Sequence, residues 1–152
     1  MAALVVADPA EAGKLFEQYI IMRYKYDTPL HAIESLEKAY NNEDLEGIMN
    51  SKDFKTEAFM MLKSLGPPYN PCDDELLIET EKLLKLGLIE SIQENGYPDF
   101  TNIKIELTEI QHIKNNIYFT TEKIIYPDSS FFENKIYLTL NNGTWKVATI
   151  EE

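Results

Sequence analysis

The amino-acid sequence predicts an α+β fold in which N-terminal helices pack on a curved antiparallel sheet. Three observations predict it. Apolar residues before Gly96 recur at helical spacing, whereas those after Pro98 alternate with a period of two. Asn142-Gly143, between two alternating runs, is the signature of a tight hairpin, because both positions tolerate positive φ. The break Gly66-Pro67-Pro68-Tyr69-Asn70-Pro71 cannot continue a helix and is too short for a domain linker. A single domain is therefore expected over 1–152, with a helical extension at 1–27, helices at 28–96 and the sheet at 97–150.

The helical half reads in order. Leu15, Tyr19 and Met22, with Phe16 and Ile20 beside them, predict a helix between 11 and 24. Thr28-Pro29 is a helix start: Thr28 caps, and Pro29 fills the first position, where an N–H would be unpaired. Leu30, Ile33, Leu36, Glu37 and Tyr40 follow, with Ile33, Leu36 and Tyr40 on one face, and Asn41-Asn42 ends it. Glu43 to Met49 predicts a short helix with Leu45, Ile48 and Met49 inward. Asp53 caps a third, carrying Phe54, Ala58, Met61, Leu62 and Leu65. Asp73 or Asp74 caps a fourth, whose stripe is Leu76, Leu77, Leu83, Leu84 and Leu88 and whose stop is Asn95-Gly96.

Four strands are expected after Pro98. Ile103, Ile105 and Leu107 alternate with polar residues until the pattern slips at Glu109 and Ile110, which predicts a bulge or bend. In the next strand Ile117, Phe119, Thr121, Lys123 and Ile125 face one way. Tyr118, Thr120, Glu122, Ile124 and Tyr126 face the other. Phe132, Asn134, Ile136, Leu138 and Leu140 line the third, and Trp145, Val147 and Thr149 the fourth, with Trp145 expected as a core plug.

Composition excludes several classes. At 44% hydrophobic and 11% aromatic residues the chain can bury a core and is not disordered. No apolar run is long enough for a bilayer, and Met1 to Ala7 lacks the basic start of a signal peptide, so a cytoplasmic protein without membrane contact is expected. One cysteine, Cys72, allows no internal disulfide, and the charges of Asp73 and Asp74 disfavour a reactive thiolate there. Two histidines far apart, His31 and His112, give no zinc spacing, and no metal or cofactor is expected. A net charge of −12 repels phosphate backbones, which argues against nucleic acid and suits either solubility or steering toward a basic protein.

The segment from Ala32 to Ile48, with a polar turn followed by Asp44-Leu45, and the closing Gly143-Thr144-Trp145-Lys146-Val147-Ala148 resemble the nuclear transport factor 2-like family of cone-shaped α+β folds. Within it, Leu77 to Leu84 and Ile92 to Phe100, above all Glu94-Asn95-Gly96-Tyr97-Pro98-Asp99-Phe100, resemble bacterial immunity proteins that neutralise toxins. The resemblance implies a non-catalytic protein that binds a cognate toxin, with a homodimer through the sheet also possible for this fold. Asp73, Asp74, Glu75, Glu79, Tyr97 and Asp99 are the expected partner-binding residues. A bunch of acids at the start of a helix is also ordinary capping charge.

The alternative is a small-molecule-binding protein, or a lyase or isomerase, using the cone pocket. Relatives with such chemistry need a carboxylate facing the cavity, or a His-Asp pair. Glu106, Glu122 and Glu133 are the strand carboxylates, and Glu122 is the best catalytic candidate, although a solvated glutamate paired with a cross-strand lysine is its expected role. Glu106 is expected to point away from the apolar face, and His112 to flank a turn at the surface. An open apolar cavity holding a buried Glu122 would favour this alternative; a cone filled by Phe119, Phe132 and Trp145 would exclude it.

Overall fold

The computed structural model describes Ala10 and residues 24–151. The helix expected before Tyr24 lies outside the described residues. The described chain runs through helices α1 (Pro29–Asn41), α2 (Leu45–Ser51), α3 (Phe54–Leu65) and α4 (Asp74–Asn95). It then runs through strands β1 (Lys104–Leu107), β2 (Gln111–Lys114), β3 (Ile117–Ile125), β4 (Phe131–Asn141) and β5 (Thr144–Glu151). This is the expected α+β architecture of helices packed against an antiparallel sheet.

Each of these four helices starts on a side-chain cap. Thr28 accepts from His31 N, Asp44 from Gly47 N, Asp53 from Thr56 N, and Asp73 from Glu75 N and Leu76 N. These bonds satisfy N–H groups that have no partner within the helix. The second helix starts later than expected because Glu43 has φ 53°, a left-handed turn residue that cannot belong to an α-helix. Gly47 is required where α2 crosses α1: a Cβ there would lie 2.8 Å from Asp44 Oδ2 and 3.1 Å from Ala39 Cβ.

Among the described residues the sheet has five strands rather than four. β1 and β2 both pair with β3, from Leu107↔Glu122 to Gln111↔Phe119, so residues 108–110 oppose only 120–121. The expected bulge therefore splits the first strand in two. A second bulge separates Tyr137↔Thr149 from Leu138↔Val147. It buries both Val147 and Ala148, so the alternation expected through Trp145, Val147 and Thr149 fails after Val147. Trp145 is half-buried rather than a plug: its ring lies 4.7 Å from that of Tyr118, and its backbone N–H donates to Tyr26 O.

The core is the meeting of one helix stripe with two strands, β4 and β5. Ala32, Ile33, Leu36 and Ala39 of α1, with Ile48 of α2, pack on Ile136, Leu138 and Val147, flanked by Leu88, Ile92 and Tyr97. Removing this apolar surface from water is the main favourable contribution to folding. Asp53 ties α3 to the sheet: its backbone N–H donates to Val147 O at 2.8 Å, and its carboxylate accepts from Thr56 N, Thr56 Oγ1 and Thr139 Oγ1. Replacing Asp53 with Ala removes a helix cap and leaves buried Thr139 without that acceptor. Urea denaturation should show a loss of about 2 kcal/mol; a loss below about 0.5 kcal/mol would contradict this role.

Candidate functional site

Glu122 occupies the middle of β3, which lies between β1 and β4. Its face of the strand, Thr120, Glu122 and Ile124, is the one turned into the protein, and all three are buried. Its cross-strand neighbours are Leu107 and Asn134, not a lysine. The expected solvated ion-pair role is thus overturned: Glu122 is only 2% exposed. The reason is that β3 is an inner strand whose polar face lies under α1.

A second carboxyl meets it from above. Glu37 follows Ile33 by four residues and precedes Tyr40 by three, so the α-helical repeat places it within roughly 40° of the apolar stripe. Glu37 is 8% exposed. Both carboxyls line a cavity of about 290 Å³, together with Asn134, Ile33, Leu36, Ile124 and Ile136. Tyr40, Phe100, Tyr126, Phe132, Val147 and Ile150 complete it, and the exposure of Tyr126 and Phe132 marks its mouth. Phe132 therefore borders the opening and does not fill it.

Three polar atoms facing this interior have no hydrogen-bond partner: Glu37 Oε1, Glu122 Oε2 and Asn134 Oδ1. Asn134 Nδ2 donates to Glu122 Oε1 over a long 3.4 Å. Burial pushes the Glu37 carboxyl up to about 9, with the charge of Glu122 next in importance. Burial also raises Glu122, while Asn134 and Glu37 act in the opposite direction on it. Burial thus lifts both carboxyls above the ordinary carboxylate range. Tyr40 is raised by burial as well, then by the charge of Glu57, so its phenol remains a donor.

The other candidates are not brought to this cavity. Glu106 and Glu133 are exposed, as is His112, which lies on β2 with its ring 4.9 Å from that of Tyr118. His31 Nδ1 lies 2.6 Å from Asp27 Oδ1, a His-Asp pair in solvent on the first turn of α1. Among the expected partner-binding residues, Asp73 serves as the α4 cap, and Asp74, Glu75 and Glu79 are exposed on its first turns. Tyr97 packs against the core, and Asp99 accepts from Thr101 N and Oγ1 in a turn. Residue spacing did not single out Glu37 and Asn134 as functional, although Glu37 falls on the α1 stripe and Asn134 shares its strand face with Ile136. Among the described residues, no group of three or more His, Cys, Asp or Glu side chains is placed to hold a metal, and no helix is long and apolar enough to cross a membrane.

No family model and no curated protein matches the chain. A solved structure from Campylobacter jejuni, described as an NTF2-like transpeptidase, is similar with a TM-score of 0.44 and 12% sequence identity. The match covers 80% of this chain and 99% of that one. A likeness this distant leaves the chemistry of the present chain to its own residues.

The buried carboxyl gives a pH dependence with a definite sign. Folding raises the Glu37 pKa, so the folded chain holds a proton that the unfolded chain releases above about 4.5. Its contribution to stability is fully present below that value and is lost as pH rises toward about 9. Glu37→Gln should flatten the decline in urea midpoint across this window, which for one proton amounts to at most about 1.4 kcal/mol per pH unit. Parallel curves for the two proteins would refute the assignment.

Proposed function

We propose that the chain binds a small neutral molecule in the cavity between α1 and the sheet and performs proton transfer on it. In this reading Glu122 is the base, and protonated Glu37 is a hydrogen-bond donor. The observation that carries it is the pair of buried carboxyls facing one cavity, with three interior polar atoms unpartnered. Such groups are costly in an apolar interior unless something pairs with them. A ligand carbonyl would accept from Glu37, while Glu122 removes a proton from the adjacent carbon; Tyr40 offers a further donor. The cavity is at the small end of the range for ligand sites, which favours a compact substrate. The order of helices before sheet, with the cavity between them, fits the nuclear transport factor 2-like cone expected from the sequence.

The test needs no knowledge of the natural substrate. Proton exchange at the carbon beside the carbonyl of cyclopentanone in D2O is followed by NMR with and without protein. The parent protein should accelerate exchange, and Glu122→Gln should lower that acceleration by about 100-fold or more, the usual contribution of a positioned base. Equal rates for the two proteins would exclude Glu122 as the base.

A second reading, a partner-binding protein directed at a cognate toxin, is supported by the exposed acids Asp74, Glu75 and Glu79 beside exposed Ile78 on α4. Mixed acidic and apolar surface is suited to a basic protein partner. Co-expression with the product of the neighbouring gene should yield a complex that Asp74→Lys/Glu75→Lys/Glu79→Lys weakens. If that product is harmless or elutes alone, this reading fails.

A further inference from the structure

Most of this surface is negative, yet four lysines converge on one cleft. It lies between the α2–α3 junction, the middle of α4 and the β4–β5 hairpin, and encloses about 910 Å³. Lys52, Lys55, Lys85 and Lys146 line it, against two carboxylates, Asp53 and Glu81. Both carboxylates are already engaged. Asp53 accepts from Thr56 and Thr139, as described above, and Glu81 lies 3.4 Å from Lys85. Lys52 reaches Glu57 at 2.9 Å. Lys55 and Lys146 have no ion pair among the described residues.

The positive charges are also held close together. The ammonium groups of Lys52 and Lys85 lie 5.0 and 5.6 Å from the centroid of the same Phe54 ring. A ring face attracts cations, which fixes these two side chains along one wall. Lys146 comes from β5, where the adjoining Val147 bridges to Lys52. Lys55 stands where the cleft meets a second cavity of about 340 Å³, lined also by Asn115, Asn116 and Asn141. Like charges gathered in a concave site concentrate the field and are relieved by an anion.

We propose that this cleft binds a small molecule carrying a diphosphate or a comparable pair of anionic groups, with Lys55 and Lys146 as its principal contacts. Two lysines without an ion pair among the described residues, one from α3 and one from β5, favour a ligand with two charged ends over a single small anion. Hairpin amides can hydrogen-bond the same oxygens. The net charge of −12 disfavours a long polyanion such as nucleic acid, whose further phosphates would meet acidic surface. The site is separate from the Glu37–Glu122 cavity, and the two assignments stand or fall independently.

Calorimetric titration of the full chain with inorganic pyrophosphate at low ionic strength tests it. Saturable one-to-one binding is expected, weakened by added salt because the attraction is between exposed charges. Lys55→Ala/Lys146→Ala should weaken it by about tenfold or more, whereas Glu122→Gln should leave it unchanged. Lys55→Glu, at an exposed position, repeats the test without altering the sheet, and circular dichroism verifies that each variant is folded. Absence of saturation at millimolar pyrophosphate, or a loss below about threefold in both lysine variants, would overturn the proposal.

Discussion

Everything distinctive about this protein depends on how closely α1 lies on the sheet. Ala32, Ile33, Leu36 and Ala39 are buried in one cluster with Ile136, Leu138 and Val147, and Ala39 lies where Gly47 lets α2 come close to α1. Close packing of this kind leaves little freedom to shift the helix by a fraction of a turn. The position of Glu37 is therefore fixed by its neighbours on the stripe. A looser interface would let its carboxylate reach solvent, as long acidic side chains usually do. Held where it is, Glu37 faces the central strand, and the charge on Glu122 becomes its electrostatic environment.

The two bulges set the other dimension of the site. The break between β1 and β2 bends the sheet beside β3, and Thr120 Oγ1 and Thr108 O close that bend with a hydrogen bond. The bulge at Ala148 turns two successive residues of β5 inward beneath the helices. Between these irregularities, β3 and β4 keep a clean register, with Glu122 opposite Asn134 and Ile124 opposite Phe132. The polar pair thus sits on the most regular part of the sheet, where side-chain direction is best defined.

The elements were legible in the sequence to the extent that they have local causes. Thr28-Pro29, Asp53, Asp73 and Asn142-Gly143 are punctuation that acts through the backbone of its immediate neighbours. The slip at Glu109-Ile110 announced a bulge in the same way. Glu43 escaped because the left-handed cap that closes α1, in which its N–H donates to Tyr40 O and that of Asp44 to Ala39 O, is usually marked by Gly or Asn and is here held by Glu. The site was legible only in part. Alternation placed Glu122 on the same face as Ile124, but could not tell which face α1 covers. Glu37 was hidden for a related reason: a glutamate on an apolar stripe is ordinarily able to reach water with its long side chain. Its meaning depends on Glu122, eighty-five positions further along the chain, and no period within a helix encodes that.

The unpartnered oxygens of Glu37, Glu122 and Asn134 have a further consequence for how this chain would change under selection. A buried acidic pair commonly contributes less to stability than apolar residues of the same volume. A population of variants screened for heat resistance alone would therefore converge on Leu or Met at positions 37 and 122, closing the cavity while preserving the fold. Loss of the two acids in such a screen, against their retention in a screen for use, would separate what the architecture needs from what the site is for.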